Sequence, residues 1–200
     1  MTDGPAESIC RIMFVCFGNI CRSPMAEGLA AKLAEQEHRD QASLVEFSSA
    51  GIGAQNGNPP TPEAVQAMAR RGIDIAAHRA RRATPDVVEA AGLVLTMEER
   101  QRQWLLDSGA APATFSLRRL SEAAHLALRQ DGVALSAGTV RERRDHLGDL
   151  VEEIEREGLW SMADHEYDVP DPIGLTVGGY ITVSGRIEEA VRDILRALLP

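Results

Sequence analysis

A cysteine and an arginine separated by five residues could together bind and attack a phosphate group. They are Cys16 and Arg22, and a helix is predicted to begin near Ser23. If the five residues between them curl into a cradle, their backbone N–H groups converge just ahead of the helix start, which binds oxyanions. Arg22 adds a planar fork for two phosphate oxygens. Because a helix start and a guanidinium both favour a thiolate, Cys16 is the candidate nucleophile.

The residues around this pair suit a tight anion-binding loop. Gly18 lets the backbone approach a ligand without a Cβ atom, and Asn19 tolerates left-handed backbone geometry. Ser23 can cap the helix or donate a hydrogen bond to the departing sulfur. The predicted substrate-binding residues are Phe17, Gly18, Asn19, Ile20, Cys21 and Ser23. The spacing alone also fits two core cysteines and a surface arginine, but a strand before the loop and a helix after it favour the phosphate site.

The elements that must position this loop alternate between strands and helices. Strands are predicted at Cys10–Cys16, Leu44–Ser49, Leu93–Met97 and Thr114–Leu117. Helices are predicted at Ser23–Arg39, Pro62–Arg71, Glu98–Asp107, Leu117–Gln130, 139–157 and Arg186–Leu199, with Asp164–Gly179 as a loop. Such alternation favours a parallel sheet covered on both faces, with ligands beyond the carboxyl ends of the strands. Cys16 stands at one of these ends.

Composition favours one compact domain and disfavours nucleic acids and membranes as partners. The chain has 200 residues, 44% of them hydrophobic, and a formal net charge of -9. Because an acidic surface repels nucleic acids and anionic membranes, neither is expected as a partner. The polar start Met1–Ser8 predicts no secretory signal, and Ile12–Phe17 is too short to span a bilayer. Three cysteines within the first 21 residues form no disulfide framework, so a cytoplasmic protein with free thiols is expected.

The segment Val15–Pro24 resembles the signature of the low-molecular-weight protein tyrosine phosphatases. The resemblance continues at Ser48–Gly51, Gly72–Ile75, His78–Arg81, Leu95–Met97 and Asp171–Pro172. It implies one doubly wound domain with a four-stranded parallel sheet in the order 2-1-3-4 and helices on both faces. It also implies hydrolysis of phosphotyrosine or other aryl phosphate monoesters through phosphocysteine, without metal or cofactor. Expected ligands are a phosphorylated protein or small aryl phosphate, and inorganic phosphate or similar oxyanions in the loop.

This chemistry needs a carboxyl group that protonates the leaving oxygen and later activates water. Asp164, Asp168 and Asp171 all lie in the late loop, and spacing alone does not choose among them. The resemblance assigns the role to Asp171, which matches the Asp-Pro pair of the family. It also implies that Ser49 steadies Asn19 through a hydrogen bond.

The chain departs from the family pattern in two places. The stretch 121–169 is longer than usual and predicts a helical insertion within a single domain spanning residues 1–200. Many family members carry aromatic residues directly after the Asp-Pro pair, where this chain has Ile173. Phe17, Trp160 or Tyr167 are candidates for the aromatic surface that a phosphotyrosine ring would contact.

Three alternative functions share the same loop. A phosphoarginine phosphatase is the first, but the arginine-directed branch has threonine where this chain has Ile20. An arsenate reductase that uses a small external thiol is the second, because no cysteine follows Cys21 to relay a disulfide. A non-catalytic phosphate-binding interaction module is the third. Cys21 itself is either a reversible disulfide partner of Cys16 or a small buried residue.

Overall fold

The structure, a computed structural model, describes residues 9–109, 112–130, 138–160 and 164–199. Met1–Ser8 and parts of the predicted insertion at 121–169 lie outside these residues. The strands are β1 Cys10–Cys16, β2 Val45–Gly51, β3 Leu93–Thr96 and β4 Ala113–Ser116. The helices are α1 Arg22–Glu37, α2 Pro62–Ala69, α3 Pro85–Glu89, α4 Glu99–Asp107, α5 Leu117–Gln130, α6 Val140–Glu157 and α7 Val177–Leu198, with 3-10 turns at Ala42–Leu44 and Asp164–Tyr167. Within the described ranges, no helix combines the length and apolar character needed to cross a membrane.

The four strands form a parallel sheet in the order β2-β1-β3-β4. This confirms the predicted fold class and strand order. In β1 the side chains alternate between the faces, so Ile12 and Phe14 join one hydrophobic cluster while Met13 and Val15 join the other. A central strand that is apolar on both faces requires helices on both sides, which is the doubly wound arrangement.

The carboxyl end of β1 is held close to its neighbour. Cys16 pairs with Gly51, and a Cβ atom at Gly51 would lie 2.5 Å from the carbonyl oxygen of Phe17 and 2.8 Å from the amide nitrogen of Asn19. No larger residue fits at Gly51, because the loop backbone passes directly over it. The loop is therefore braced by the end of β2 before α1 begins.

The last helix is longer than expected. It begins at Val177, whereas the sequence predicted a loop as far as Gly179 and a helix from Arg186. The glycines at its start disfavour a helix, but Tyr180 and Val183 are buried against the core, and α7 packs on both α1 and α2. Tertiary packing thus outweighs the weak local propensity of this segment.

The predicted surface helix at 139–157 is α6. Thr139 and Glu142 form a reciprocal capping box at its start, and Gly158 ends it in a left-handed conformation. Its apolar residues are buried where α6 packs on α5 and α7. Arg143 is also buried and donates to the carbonyl oxygen of Leu198 at 2.7 Å, so α6 is tied to the end of α7.

Candidate active site

The loop after β1 is held open by one buried asparagine. Asn19 has a φ of 54° and is fully buried, which is a left-handed conformation that few residue types adopt. Its amide nitrogen donates to the hydroxyls of Ser23 and Ser49, both at 2.9 Å, and its side-chain oxygen accepts from the backbone N–H of Arg81 at 2.9 Å. His78 Nε2 lies 3.0 Å from the carbonyl oxygen of Asn19, so this imidazole has a structural contact with the loop.

The sulfur of Cys16 receives polar groups from the loop and the first turn of α1. The backbone N–H of Asn19 donates to Sγ at 3.3 Å, and the hydroxyl of Ser23 lies 3.0 Å from it. Cys16 itself is buried. Because both neighbours can donate hydrogen bonds, the site is arranged to stabilise negative charge on the sulfur.

Arg22 is only 1% exposed, and its guanidinium is held along one edge. Nη1 donates to the carboxylate of Glu98 and to the carbonyl oxygen of Val169, the latter at 2.9 Å. Nη2 donates to Asp171 Oδ2 at 2.7 Å. Within the described part of the chain, the buried Nε has no hydrogen-bond partner. An unpaired buried donor is costly, so Nε is a position that a ligand oxygen would satisfy.

The structure separates the candidate acids. Asp171 contacts Arg22, its side chain is 40% exposed, and its second oxygen accepts from the backbone N–H of Ile173 at 3.2 Å. Asp168 instead accepts from the backbone N–H of Glu99 at 2.8 Å, at the start of α4. Burial raises the pKa of Asp168, while the hydrogen bond from Glu99 opposes that shift. Of these two aspartates, Asp171 is therefore the one that contacts Arg22, and Asp168 secures a helix start.

Glu98 is a site residue that sequence reasoning missed. The sequence predicts only that a helix begins at Glu98, but α4 begins at Glu99. The buried Glu98 carboxylate contacts Arg22, Arg100 and Gln101. Although burial opposes ionisation, hydrogen bonds from Arg100 and Arg22 lower the pKa of Glu98. The available signal was its place just beyond the carboxyl end of β3, where ligand sites gather in such sheets.

The side chain of Cys21 is buried beside two hydroxyl groups. Its Sγ lies 3.7 Å from the hydroxyl of Tyr180 and 3.9 Å from that of Thr61. Burial raises the pKa of Cys21 to about 11, and the nearby Cys16 and Asp171 add to this shift. Cys21 is therefore a neutral thiol at neutral pH, within electrostatic reach of the loop cysteine.

Two of the three aromatic candidates pack against each other. Tyr167 is buried, its ring centroid lies 5.2 Å from that of Trp160, and its hydroxyl donates to Glu122. The guanidinium of Arg119 lies over both rings. Tyr167 is too buried to contact a substrate ring, and Trp160 packs in the same cluster. Phe17 remains a candidate, since it is 55% exposed within the loop.

Comparison with known proteins shows which family has the sequence features of this loop. The sequence model described as "Low molecular weight phosphotyrosine protein phosphatase" matches residues 11–128. The chain belongs to this family. The membership confirms the prediction made from Val15–Pro24, and with it a cysteine-dependent phosphatase.

Individual relatives within the family differ in the substrate their names give. A probable low molecular weight protein-tyrosine-phosphatase, EpsP of Ralstonia nicotianae, is 44% identical over 111 residues, 56% of this chain and 70% of that protein. The protein-arginine-phosphatase of Bacillus subtilis is 40% identical over 92 residues, 46% of this chain and 58% of that protein. A solution structure of a low molecular weight protein tyrosine phosphatase from Bacillus subtilis has a TM-score of 0.67 and 26% identity, and covers 94% of this chain and 96% of that one.

Proposed function

We propose that this phosphatase hydrolyses phosphotyrosine in proteins, and aryl phosphate monoesters in general, through a phosphocysteine formed on Cys16. One observation carries the proposal. At the carboxyl end of β1, hydrogen-bond donors converge on the buried Cys16 sulfur. Arg22, in the first turn of α1, contacts Asp171 and presents a buried Nε that has no partner among the residues described. Nucleophile, anion ligand and proton donor are thus brought together by the loop and the late segment before α7.

The proposed reaction has two steps. Cys16 Sγ attacks the phosphorus atom, the bond to the phenolic oxygen breaks, and Asp171 donates its proton to that oxygen. In the second step the Asp171 carboxylate takes a proton from water, whose oxygen attacks phosphorus. The S–P bond breaks, which releases inorganic phosphate and regenerates the thiolate. Ser23, 3.0 Å from the sulfur, stabilises the thiolate in both steps.

The charges around Arg22 suit a dianionic substrate. Arg22 contacts two carboxylates, those of Glu98 and Asp171, whose combined charge exceeds that of its guanidinium. Arg100 pairs with Glu98 from the exposed side and supplies a second positive charge. Once Asp171 is protonated as the acid, the two arginines balance the Glu98 carboxylate and the Cys16 thiolate. The phosphoryl group therefore meets a site without net negative charge in a protein whose formal charge is -9.

Apolar side chains near the reacting residues favour an aryl group over a guanidinium group. Phe17 directly follows the nucleophile and Ile173 lies two residues after the acid, and each is 55% exposed. Ile20 extends over Gly18, where a Cβ atom would lie 3.3 Å from its Cγ1. Contact between exposed apolar side chains and an aromatic ring is favourable because both surfaces are removed from water. A charged guanidinium group would lose hydration in the same place, which is unfavourable.

Phosphoarginine is the second candidate substrate because the Bacillus subtilis relative is named as an arginine phosphatase. Turnover of a phosphotyrosine peptide, of phosphoarginine, and of arsenate with glutathione should be measured side by side. We expect the phosphotyrosine peptide to be preferred by at least about tenfold in kcat/KM, a difference of roughly 1.4 kcal/mol. The Cys16→Ser protein is the control for each reaction. Turnover of phosphoarginine alone would overturn the substrate assignment, and reduction of arsenate alone would replace hydrolysis by a redox function.

We also propose that residues 1–200 form one phosphatase domain with a helical insertion at about 121–169. The family match ends at residue 128, and α6 lies beyond it while packing on α5 and α7. A cytoplasmic location is proposed on separate grounds. Cys10, Cys16 and Cys21 are free thiols, and a catalytic thiol requires a reducing compartment.

A further inference from the structure

A second basic cavity lies at the end of the sheet opposite the catalytic loop. It has a volume of about 220 Å³, and three arginines line it together with Cys10 and Gly92. The arginines are Arg11, Arg141 and Arg144. Cys10 and Cys16 are the two ends of β1, so the cavity lies about 20 Å from the nucleophile at 3.3 Å per residue.

The lining carries positive charge without a carboxylate of its own. Arg11 donates from Nε to Glu46 at 3.0 Å, and Arg144 donates to Asp145, but neither carboxylate lines the cavity. Arg141 is exposed and has no side-chain partner among the described residues. Three guanidinium groups against two carboxylates leave a net positive charge here, in a chain whose overall charge is strongly negative.

The position of Arg144 is defined by the end of the sheet. Its Nη1 donates to the carbonyl oxygen of Gly92 at 3.0 Å, and a Cβ atom at Gly92 would lie only 3.2 Å from that nitrogen. Gly92 also donates its N–H to the carbonyl oxygen of Arg11 at 2.8 Å. The guanidinium is thus held in place before any ligand binds, which lowers the entropy cost of binding.

The buried Cys10 beside these arginines is neutral. Burial raises the pKa of its thiol, Arg144 opposes that shift, the nearby Asp145 adds to it, and Arg141 opposes it. No thiolate therefore competes for the guanidinium groups at neutral pH. Arg141 and Arg144 both belong to α6, which lies beyond the region that the family model matches, so the cavity depends on a helix outside that region.

We propose that this cavity binds a phosphoryl group or a similar tetrahedral oxyanion, at a site separate from the catalytic loop. Guanidinium groups pair with the oxygens of such anions, Arg144 is already held in place by Gly92, and the cavity is large enough for one group with its water. The anion is either free phosphate or a second phosphorylated side chain of a protein substrate. Both carry the same phosphoryl group, which is either free in solution or attached to the protein substrate.

Titration with inorganic phosphate, followed by NMR of the ¹⁵N-labelled protein, tests the site. The amides of Cys10 and Gly92 report on the cavity, while those of Gly18 and Asn19 report on the catalytic loop. We expect both pairs to shift with separate midpoints. In Arg141→Gln the phosphate concentration at the midpoint for the cavity amides should rise about tenfold, which is the lower end of the effect of losing one charge-assisted hydrogen bond. The midpoint for the loop amides should not change. Arg141 is exposed and makes no side-chain contact with a partner in the described ranges, so this variant should fold normally.

Arg70→Gln is the matched control, because it removes an exposed arginine that does not line the cavity. It should leave both midpoints at their original values. The proposal is overturned if the Cys10 and Gly92 amides do not respond at phosphate concentrations far above those that saturate the loop. It is equally overturned if Arg141→Gln and Arg70→Gln change the cavity midpoint alike.

A second measurement identifies the source of the anion. Cys16→Ser protein is titrated with a phosphotyrosine peptide, with and without a phosphoserine at least about eight residues away, a spacing whose extended reach exceeds 20 Å. Tighter binding of the doubly phosphorylated peptide, lost in the additional Arg141→Gln background, assigns the cavity to substrate. Equal binding of both peptides, with the cavity amides still responding to phosphate, assigns it to the free anion.

Discussion

Replacing Glu98 by glutamine should weaken both the fold and the reaction, because it leaves Arg22 without its buried counter-charge. The Glu98 carboxylate lies beneath the catalytic loop and contacts Arg22 Nη1. Removing one member of a buried ion pair typically costs 3–5 kcal/mol. Here Arg22 keeps Val169 and Asp171 as acceptors, so the expected loss is smaller, about 2 kcal/mol.

The kinetic effect of Glu98→Gln should be larger on kcat than on KM. Without its carboxylate partner the guanidinium of Arg22 can turn away from the position it takes in the structure, and a misplacement of about 1 Å can cost roughly 100-fold in rate. Removing the negative charge of Glu98 also lets Arg22 attract phosphate more strongly, which favours substrate binding. We expect kcat for p-nitrophenyl phosphate to fall about 10- to 100-fold, with little change in KM.

The difference in stability between the two proteins should depend on pH. Hydrogen bonds from Arg100 and Arg22 hold the pKa of Glu98 below its ordinary value of 4.5, so folding favours the charged form. The contribution of Glu98 is therefore complete above pH 4.5 and is lost as the pH falls through the lower pKa of the folded state. Urea unfolding of wild type and Glu98→Gln at several pH values should show the difference shrinking under acid conditions.

Glu99→Gln provides the matched control for this prediction. Glu99 is the next residue, but its carboxylate pairs with Arg102 at 3.0 Å and Arg119 at 3.6 Å rather than with Arg22. We expect it to change stability by about 1 kcal/mol or less and to leave kcat unaltered. If Glu98→Gln were as stable and as active as Glu99→Gln, Glu98 would have no part in holding Arg22.

Three further predictions test the assigned roles. Cys16→Ser should abolish turnover of p-nitrophenyl phosphate while the thermal unfolding transition is retained; unchanged activity would end the phosphocysteine mechanism. Asp171→Asn should lower kcat by about 100- to 10,000-fold, most strongly for poor leaving groups. Asp168→Ala should cost about 1 kcal/mol of stability, because the hydrogen bond to the start of α4 is lost, and should leave kcat nearly unchanged; the reverse pattern in steady-state kinetics would reassign the acid. Ile20→Thr should raise the ratio of phosphoarginine to phosphotyrosine turnover, and an unaltered ratio in parallel assays would remove Ile20 from substrate selection.

Much of the fold could be predicted because its signals are local. The apolar strand Cys10–Cys16 was predicted at the bounds it has, as was the helix Leu117–Gln130, since each is specified by its own pattern of side chains. The start of α7 could not be predicted in this way. Its first turns contain Gly178 and Gly179 and are helical because Tyr180 is buried against distant elements.

Some residues of the candidate site could be identified from the sequence, and others required the structure. Cys16, Asn19 and Arg22 could be identified from the sequence, because they lie within seven consecutive residues between a predicted strand and a predicted helix. Glu98 and Asp171 could not be placed by spacing, because they lie 76 and 149 residues from Arg22. The sequence by itself thus determined the phosphate chemistry of this protein. Only the tertiary structure shows that Glu98 and Asp171 both contact Arg22, because such a contact depends on distances in the folded chain.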